Sequence, residues 1–158
     1  MPSTLIRQGR IVTAVDDYIA DILVKDGRIV TIGETLTVGE DTQVIDAQGL
    51  LVLPGGVDCH THMDNTFGAS TTCDSYESGT RSAAFGGTTT IVDFGTQYTG
   101  ESLADGLRNW HEKADGRCSC DYGFHMSISD WNPSVSGELD DMMEEGITSF
   151  KLYMTYDT

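Results

Sequence analysis

The chain has 158 residues, of which 39% are hydrophobic, and its nine basic and 25 acidic side chains give a formal charge of −16. Such an acidic chain is unsuited to nucleic acid or anionic membranes, because both attract positive charge. No apolar run approaches the length of a membrane-spanning helix, about 18 residues. The first residues also lack a signal-peptide pattern. We therefore expect a cytoplasmic protein whose four cysteines are reduced.

Residues 1–54 have the pattern of a small β-module, which we interpret as the N-terminal part of a β-sandwich. Short β-branched or apolar runs alternate with turns that contain glycine. Asp26-Gly27 separates two of these runs and favours a type I′ hairpin turn, because both central residues of that turn need positive φ. The strand-like runs are residues 11–13, 19–24, 29–32, 44–45 and 51–53.

Near Pro54 the pattern changes, and residues 55–158 are predicted to form four βα units. Strand-like runs begin about 30 residues apart, the length of one such unit. They cover residues 50–57, 88–94, 121–128 and 147–153, with helical patterns at 75–85, 101–114 and 138–145. Strands that alternate with helices indicate a parallel sheet. That sheet is compatible with half of a (β/α)₈ barrel, which needs about 250 residues when complete, or with a small doubly wound sheet.

Two of the predicted helices have a defined apolar face. The face of the helix at 101–114 comprises Leu103, Leu107, Trp110 and Ala114. The face of the helix at 138–145 comprises Leu139, Met142 and Met143. Gly146 is suited to end the latter helix, because glycine adopts the left-handed conformation found just past many helix ends.

Two histidines follow the first strand-like run of the second region, in Asp58-Cys59-His60-Thr61-His62. In an extended chain, residues two apart project to the same face, so the imidazoles of His60 and His62 can reach one metal ion. Active sites of parallel barrels also lie at the carboxyl ends of the strands. An isolated His-x-His pair is more often structural, but its position after an apolar strand and a Pro-Gly-Gly turn favours a metal site.

A lysine, Lys151, lies within the fourth predicted strand. A lysine in an apolar strand must bury its charge, pair it or lose it. One interpretation is a stem that lies along apolar surface with its ammonium at the rim. The other is an amine that reacts with CO₂ to form a carbamate, which two cations can hold as a bridging ligand. The strand alone favours the first interpretation.

Three motifs occur in the order found in the cyclic amidohydrolases, and they most resemble the hydantoinase/dihydropyrimidinase family. They are residues 54–64 around the two histidines, residues 86–93 (Gly-Gly-Thr-Thr-Thr-Ile-Val-Asp) and residues 149–156 (Ser-Phe-Lys-Leu-Tyr-Met-Thr-Tyr). The resemblance spans the whole chain. It implies an α/β fold in which part of a small β-sandwich module precedes the first half of a TIM-like (β/α)₈ barrel.

The same resemblance implies a site with two zinc ions that hydrolyses the ring amide of hydantoins or dihydropyrimidines. His60 and His62 would bind one zinc, and N6-carboxylated Lys151 would bridge both. Tyr156 would hydrogen-bond the substrate carbonyl and stabilise the oxyanion formed there. The other expected ligands, two histidines and an aspartate, would lie beyond residue 158, so we expect the chain to be part of a longer enzyme that assembles as a homotetramer.

Further candidates surround this proposed centre. Side chains that would form apolar walls around the exocyclic substituent of the substrate are Phe67, Phe94 and Tyr98. Side chains that would orient the ligands through hydrogen bonds are Asp58, Asp93 and His125. Asp93 is predicted to end the second strand and His125 the third, so both would point to the same rim.

Three alternatives remain open at this point. A non-catalytic scaffold with the same fold would lack the metal-binding histidines, which are present here. A different cyclic amidohydrolase, such as an allantoinase or a dihydroorotase, would use the same metal chemistry on another ring. A free-standing acidic β/α binding module is compatible with the length of the chain alone.

Overall fold

The computed structural model describes residues 3–154, and the chain divides into two compact units, Met1–Pro54 and Gly55–Thr158. The first unit is a five-stranded sheet with the order β3-β2-β1-β4, in which β5 also pairs with β1. All five predicted runs overlap strands, so the β character of this region is confirmed. The strands are β1 (Ser3–Val12), β2 (Asp17–Lys25), β3 (Arg28–Gly33), β4 (Thr42–Asp46) and β5 (Leu51–Val52).

The predicted hairpin turn joins β2 to β3. Asp26 and Gly27 have φ angles of 51° and 72°, and the two strands pair antiparallel. Positive φ at both central positions is the requirement of a type I′ turn, so this prediction is confirmed. The sheet buries Ile11, Ala20 and Ile22 as a small core. The second layer of a β-sandwich stays a prediction.

The second unit is a parallel α/β half-barrel. Its sheet has the order β11-β10-β9-β6, and every neighbouring pair is parallel. The strands therefore follow one another in chain order, as in a barrel, and the sheet has no reversal of the kind found in doubly wound folds. Its elements are β6 (Gly56–Thr61), β7 (Thr66–Phe67), β8 (Ser70–Thr71), α1 (Tyr76–Phe85), β9 (Thr88–Gln97), α2 (Leu103–Ala114), β10 (Asp121–Ile128), α3 (Pro133–Gly137), α4 (Leu139–Glu144) and β11 (Phe150–Leu152).

The single strand predicted over residues 50–57 is wrong. Leu51 and Val52 pair with β1 in the first unit, whereas β6 begins only at Gly56. Pro54 separates the two, and proline cannot donate a hydrogen bond to a sheet. A Cβ atom at Gly55 would lie 1.9 Å from Oγ1 of Thr89, so the chain also passes β9 at a distance that only glycine allows. The Pro-Gly-Gly turn therefore connects β5 and β6, which are strands of two different sheets.

The helix predicted over residues 138–145 is only partly correct. Two short helices, α3 and α4, meet at Glu138. Oδ1 of Asn132 accepts hydrogen bonds from the first turn of α3 and so starts that helix before the predicted range. Met142 is buried, but Met143 is 50% exposed, which corrects its assignment to the core. Gly146 has φ of 89° after α4, so its role at the helix end is confirmed.

Helix α2 packs its predicted face against the sheet. Ser102 caps the helix by accepting a hydrogen bond from the amide of Asp105. Nε1 of Trp110 donates to the carbonyl of Thr96 at 3.2 Å, so the indole is both buried and hydrogen-bonded. All four predicted face residues, Leu103, Leu107, Trp110 and Ala114, are buried, which confirms the face. Within residues 3–154, no helix is both long enough and apolar enough to span a membrane.

A glycine in α2 permits the close contact between this helix and β9. A Cβ atom at Gly106 would lie 3.0 Å from Cα and 3.2 Å from N of Gln97. Because backbone cannot rotate away, we expect Gly106→Ala to lower the free energy of unfolding of the intact protein by about 1–3 kcal/mol in denaturant titrations. Gly137→Ala is the matched control, since Gly137 is also helical and has open space around it. Equal stability of the two variants would contradict the prediction.

Candidate metal centre

A β-bulge in β6 determines where the two histidines point. Asp58 pairs with Ile91 of β9 and Thr61 pairs with Asp93, so β6 uses one more residue than β9 between the two pairs. Thr61 Oγ1 donates to Asp93 Oδ2 at 3.0 Å, which fixes Thr61 on the helix-facing side. Its neighbours in the chain therefore project from the opposite side of the sheet.

His60 and His62 meet on that opposite side, over the ring of Phe94. The two imidazole centroids lie 5.2 Å apart with an interplanar angle of 82°, and they lie 4.8 Å and 4.9 Å from the centroid of the Phe94 ring. His62 is half-buried, and its Nδ1 has no hydrogen-bond partner within residues 3–154. Burial lowers the pKa of His62, and the positive charge of Lys151 lowers it further.

Lys151 reaches the same aromatic ring from the opposite edge of the sheet, on the same face as the histidines. Its Nζ lies 4.4 Å from the Phe94 ring centroid and 5.2 Å from that of Tyr153. β11 pairs with β10 in a register that sets Lys151 beside Ser127, and Ser127 is in turn opposite Thr96 of β9. His60, His62 and Lys151 therefore converge on one face of the half-barrel.

Asp93 supports this arrangement from the helix-facing side and does not face the histidines. Besides the Thr61 hydroxyl, its carboxylate accepts hydrogen bonds from the amide of Met63 at 2.8 Å and the amide of Phe94 at 2.6 Å. β9 continues to Gln97 and β10 to Ile128, so the prediction that Asp93 and His125 end their strands is wrong. Asp93 is fully buried and holds the end of β6 against β9.

We expect Asp93→Asn to lower the free energy of unfolding by about 2 kcal/mol, because in either orientation its amide NH₂ would face a backbone N–H, of Met63 or of Phe94, and leave that buried donor unpaired. Denaturant titration of the metal-free protein measures the change. Asp58→Asn is the matched control: Asp58 is exposed and, within residues 3–154, accepts a hydrogen bond only from the His60 amide, at 3.1 Å, which an asparagine oxygen can also accept. A loss of the same size in both variants would contradict this role.

His125 lies near the centre but does not offer a free nitrogen to it. Nε2 lies 3.0 Å from the carbonyl oxygen of Cys59, and Nδ1 contacts the hydroxyl of Ser149. Its ring is 4.8 Å from the Phe94 ring, on the same face as His60 and Lys151. His125 on β10 therefore contacts Cys59 of β6, Phe94 of β9 and Ser149, which immediately precedes β11.

The candidate wall residues occupy different positions. Phe94 is buried beneath the histidines and forms the floor of the site. Phe67 in β7 is 55% exposed, and its ring lies 5.7 Å from that of His62. Tyr98 is 43% exposed at the end of β9, where burial and the negative charge of Glu101 raise its pKa. Tyr156 lies outside the described residues.

The donor set fits zinc, which binds imidazole nitrogens readily. Three buried polar side-chain atoms among residues 3–154 have no hydrogen-bond partner, and two of them, His62 Nδ1 and Ser127 Oγ, lie on the face that carries Lys151. The third, on Tyr76, lies in the helix-side core. No three His, Cys, Asp or Glu side chains in the described part could hold a metal by themselves. A site here needs Lys151 or residues outside that part.

Sequence reasoning missed the residues that support the candidate ligands. Ser127 and Ser149 gave no signal of their own, because a serine in a strand is compatible with many environments. Thr61 lies between the two histidines and could have been identified from the alternation of faces, since it must point away from them.

Comparison with known proteins finds relatives similar in sequence and in fold. The model of the Amidohydrolase family matches residues 43–111. The chain is 51% identical over 157 residues to a D-hydantoinase of Streptomyces coelicolor, covering 97% of this chain and 34% of that protein. It is 52% identical over 153 residues to a D-hydantoinase of Geobacillus stearothermophilus, covering 96% and 32%. The crystal structure of a dihydropyrimidinase from Brevibacillus agri matches with a TM-score of 0.93 at 48% identity, covering 99% of this chain and 34% of that one.

A parallel half-barrel with paired histidines on its first strand, together with these matches, defines the class: the chain belongs to the amidohydrolase family. Within that family its relatives are hydantoinases and dihydropyrimidinases, and it corresponds to their N-terminal portion. The chain spans about a third of the length of the curated relatives it matches.

Proposed function

We propose that the intact protein carrying this chain hydrolyses the cyclic amide bond of hydantoins and dihydropyrimidines and opens the ring to N-carbamoyl amino acids. The observation that carries the proposal is the convergence of His60, His62 and Lys151 over the Phe94 ring. The names of the relatives, D-hydantoinase and dihydropyrimidinase, support the choice of ring.

Zinc is the proposed metal. His60 and His62 would hold one ion, and N6-carboxylated Lys151 would bridge it to a second. Two bound zinc ions would supply Lewis-acid polarisation of a carbonyl and a lowered pKa of water. We propose that the remaining ligands lie beyond residue 158, in the part of the relatives' length that this chain does not cover.

Lys151 must change its charge to act as a bridging ligand. The ammonium would first lose a proton to solvent. The amine lone pair would then form a bond to the carbon of CO₂ while one C–O π pair moves to oxygen, and a second proton would leave the nitrogen to solvent. The product is an anionic carbamate with two oxygens, the donor type that divalent cations can share. The Ser127 hydroxyl lies beside Lys151 in the sheet and has no hydrogen-bond partner among the described residues. It supports this change, because it offers a hydrogen-bond donor to such an anion.

His62 is prepared for metal binding by its surroundings. A histidine must be neutral to donate its lone pair to a metal. Burial lowers the pKa of His62, which favours the neutral imidazole. The Phe94 ring covers the underside of both imidazoles and excludes water from that side.

The substrate would approach from the open side of the sheet. Phe67 and Tyr98 are exposed aromatic side chains near the site and are proposed to contact the exocyclic substituent. Tyr156 is proposed to donate a hydrogen bond to the substrate carbonyl and to the oxyanion formed from it. Following the family resemblance, we also propose a cytoplasmic homotetramer, which sedimentation of the intact protein would test.

The test is an assay of the intact protein loaded with zinc in the presence of bicarbonate. The substrate panel comprises 5-substituted hydantoins and dihydrouracil, with allantoin and dihydroorotate as competing rings. We expect ring opening of the first two at rates at least about tenfold above the last two. Bound zinc without ring opening of any substrate would contradict the proposal, and absence of zinc would favour a non-catalytic scaffold.

A further inference from the structure

His125 makes two hydrogen bonds that join strands on opposite sides of β9. The Cys59 carbonyl oxygen can only accept, so Nε2 of His125 carries a proton and donates to it at 3.0 Å. In the neutral ring Nδ1 then accepts from the Ser149 hydroxyl. Cys59 belongs to the strand of His60 and His62, and Ser149 immediately precedes the strand of Lys151. One imidazole therefore connects the two candidate ligand strands.

The bond to Cys59 falls at the β-bulge in β6. A bulge disrupts the regular ladder and leaves backbone groups in need of partners. Two side chains bond the backbone there: Asp58 Oδ1 accepts from the amide of His60 at 3.1 Å, and His125 donates to the carbonyl of Cys59. Without the bulge, His60 in place of Thr61 would pair with Asp93, so the bulge is what puts Thr61 on the helix-facing side and the histidines on the other side. Whatever holds the bulge therefore sets the direction of both imidazoles.

These contacts decide whether His125 acts as a metal ligand or proton-transfer group, or instead positions other residues. A metal ligand or a proton-transfer group needs a free ring nitrogen, and both nitrogens of His125 have protein partners. The ring lies over Phe94 at 4.8 Å, beside the candidate ligands and without displacing them.

We propose that His125 is a positioning residue, which fixes the bulge at Cys59 and the distance between the strand of His60 and His62 and the strand of Lys151. The inference rests on the proposed zinc site. It deepens that proposal, because it assigns the spacing of the ligands to one hydrogen-bonded imidazole whose own nitrogens do not touch the metal.

The test measures the rate of zinc release from the intact protein into an excess of a chromogenic chelator. Partners that orient metal ligands change metal affinity by about 10-fold to 100-fold when they are removed. We expect His125→Phe, which fills the space but cannot donate, to release zinc about 10-fold to 100-fold faster than the wild type. His125→Gln, whose amide nitrogen can replace Nε2 as the donor, should stay within about threefold.

Two further variants complete the experiment. Ser149→Ala keeps the donor to Cys59 but frees Nδ1, and should give an intermediate rate; it also supplies the test if His125→Phe does not fold. His111→Phe is the matched control, because His111 lies on α2 against Phe124 and Asp115 and is not part of the site. It should release zinc at the wild-type rate.

Hydrogen exchange of the metal-free protein separates this inference from the proposed function. We expect the peptide that covers residues 57–63 to exchange at least about threefold faster in His125→Phe than in the wild type and in His125→Gln. If the wild-type protein binds no zinc, the proposed function is contradicted, but the exchange measurement still tests the role of His125. Wild-type exchange in His125→Phe, or equal zinc release from the Phe and Gln variants, would overturn the inference.

Discussion

Replacement of His62 with alanine is expected to reduce zinc in the purified protein to less than one ion per chain and to lower ring-opening activity by about a thousandfold or more. Metal-ion catalysis contributes several kcal/mol to transition-state stabilisation, and each 1.36 kcal/mol or so is about a tenfold change in rate. Elemental analysis and kcat/KM for a 5-substituted hydantoin measure the two effects.

The same variant distinguishes loss of metal from loss of structure. Nδ1 of His62 has no partner within residues 3–154, so the alanine variant breaks no hydrogen bond at that atom. We therefore expect the metal-free protein to lose no more than about 1 kcal/mol of stability. His111→Ala removes an imidazole from α2, and zinc content and activity should stay at wild-type values. Two zinc ions retained in His62→Ala would remove His62 from the ligand set.

Much of the fold could be predicted because its elements have local signals. Alternating apolar residues defined the strands, and the spacing of Leu103, Leu107 and Trp110 defined the buried face of α2. The two positive φ angles at Asp26-Gly27 follow from the chemistry of the turn itself. In each case the determining residues lie within a few positions of one another.

The parts that could not be predicted depend on pairing between distant residues. The bulge in β6 appears only when that strand is set against β9, and nothing in residues 56–61 marks it. Helix α3 is a local exception: its cap at Asn132 precedes the range predicted for the helix. Asp93 was placed near the rim because its strand was predicted too short, and the helix-facing position followed only from its bond to Thr61.

The candidate ligands were found in sequence because each is a chemically unusual residue in its strand. What the sequence did not supply is the common surface on which they meet, the ring of Phe94, and the role of His125 across it. Phe94 is predicted to be a wall for the substrate, and the structure buries its ring beneath His60, His62 and Lys151.

Substitution of Lys151 is expected to lower zinc content and ring-opening activity as strongly as substitution of His62, because Lys151 would hold the position that bridges the two zinc ions. Lys151→Arg keeps a positive charge on a long stem, yet a guanidinium does not deprotonate in proteins and cannot form a carbamate. We expect this variant to hold no more than one zinc per chain and to lose about a thousandfold in kcat/KM. Wild-type zinc content and activity in Lys151→Arg would contradict carboxylation of Lys151.

Chemical rescue would identify the missing group. Lys151→Ala leaves space over the Phe94 ring, whereas Lys151→Met fills that space with an unbranched apolar side chain. A short carboxylate such as acetate or propionate should therefore restore zinc binding and part of the activity in the alanine variant and not in the methionine variant. Equal responses of the two variants would show that the carboxylate acts elsewhere.

Bicarbonate supplies the complementary measurement on the wild type. Zinc reconstitution in CO₂-free buffer should be slow and incomplete, and added bicarbonate should restore it, because the carbamate must form before two cations can share it. Lys151→Ala lacks the amine, so its zinc uptake should not respond to bicarbonate and should respond to acetate. A carbamate therefore predicts that bicarbonate restores zinc uptake in the wild type and that acetate restores it in Lys151→Ala. If Lys151 is a simple ammonium at the rim, neither reagent should change zinc uptake in either protein.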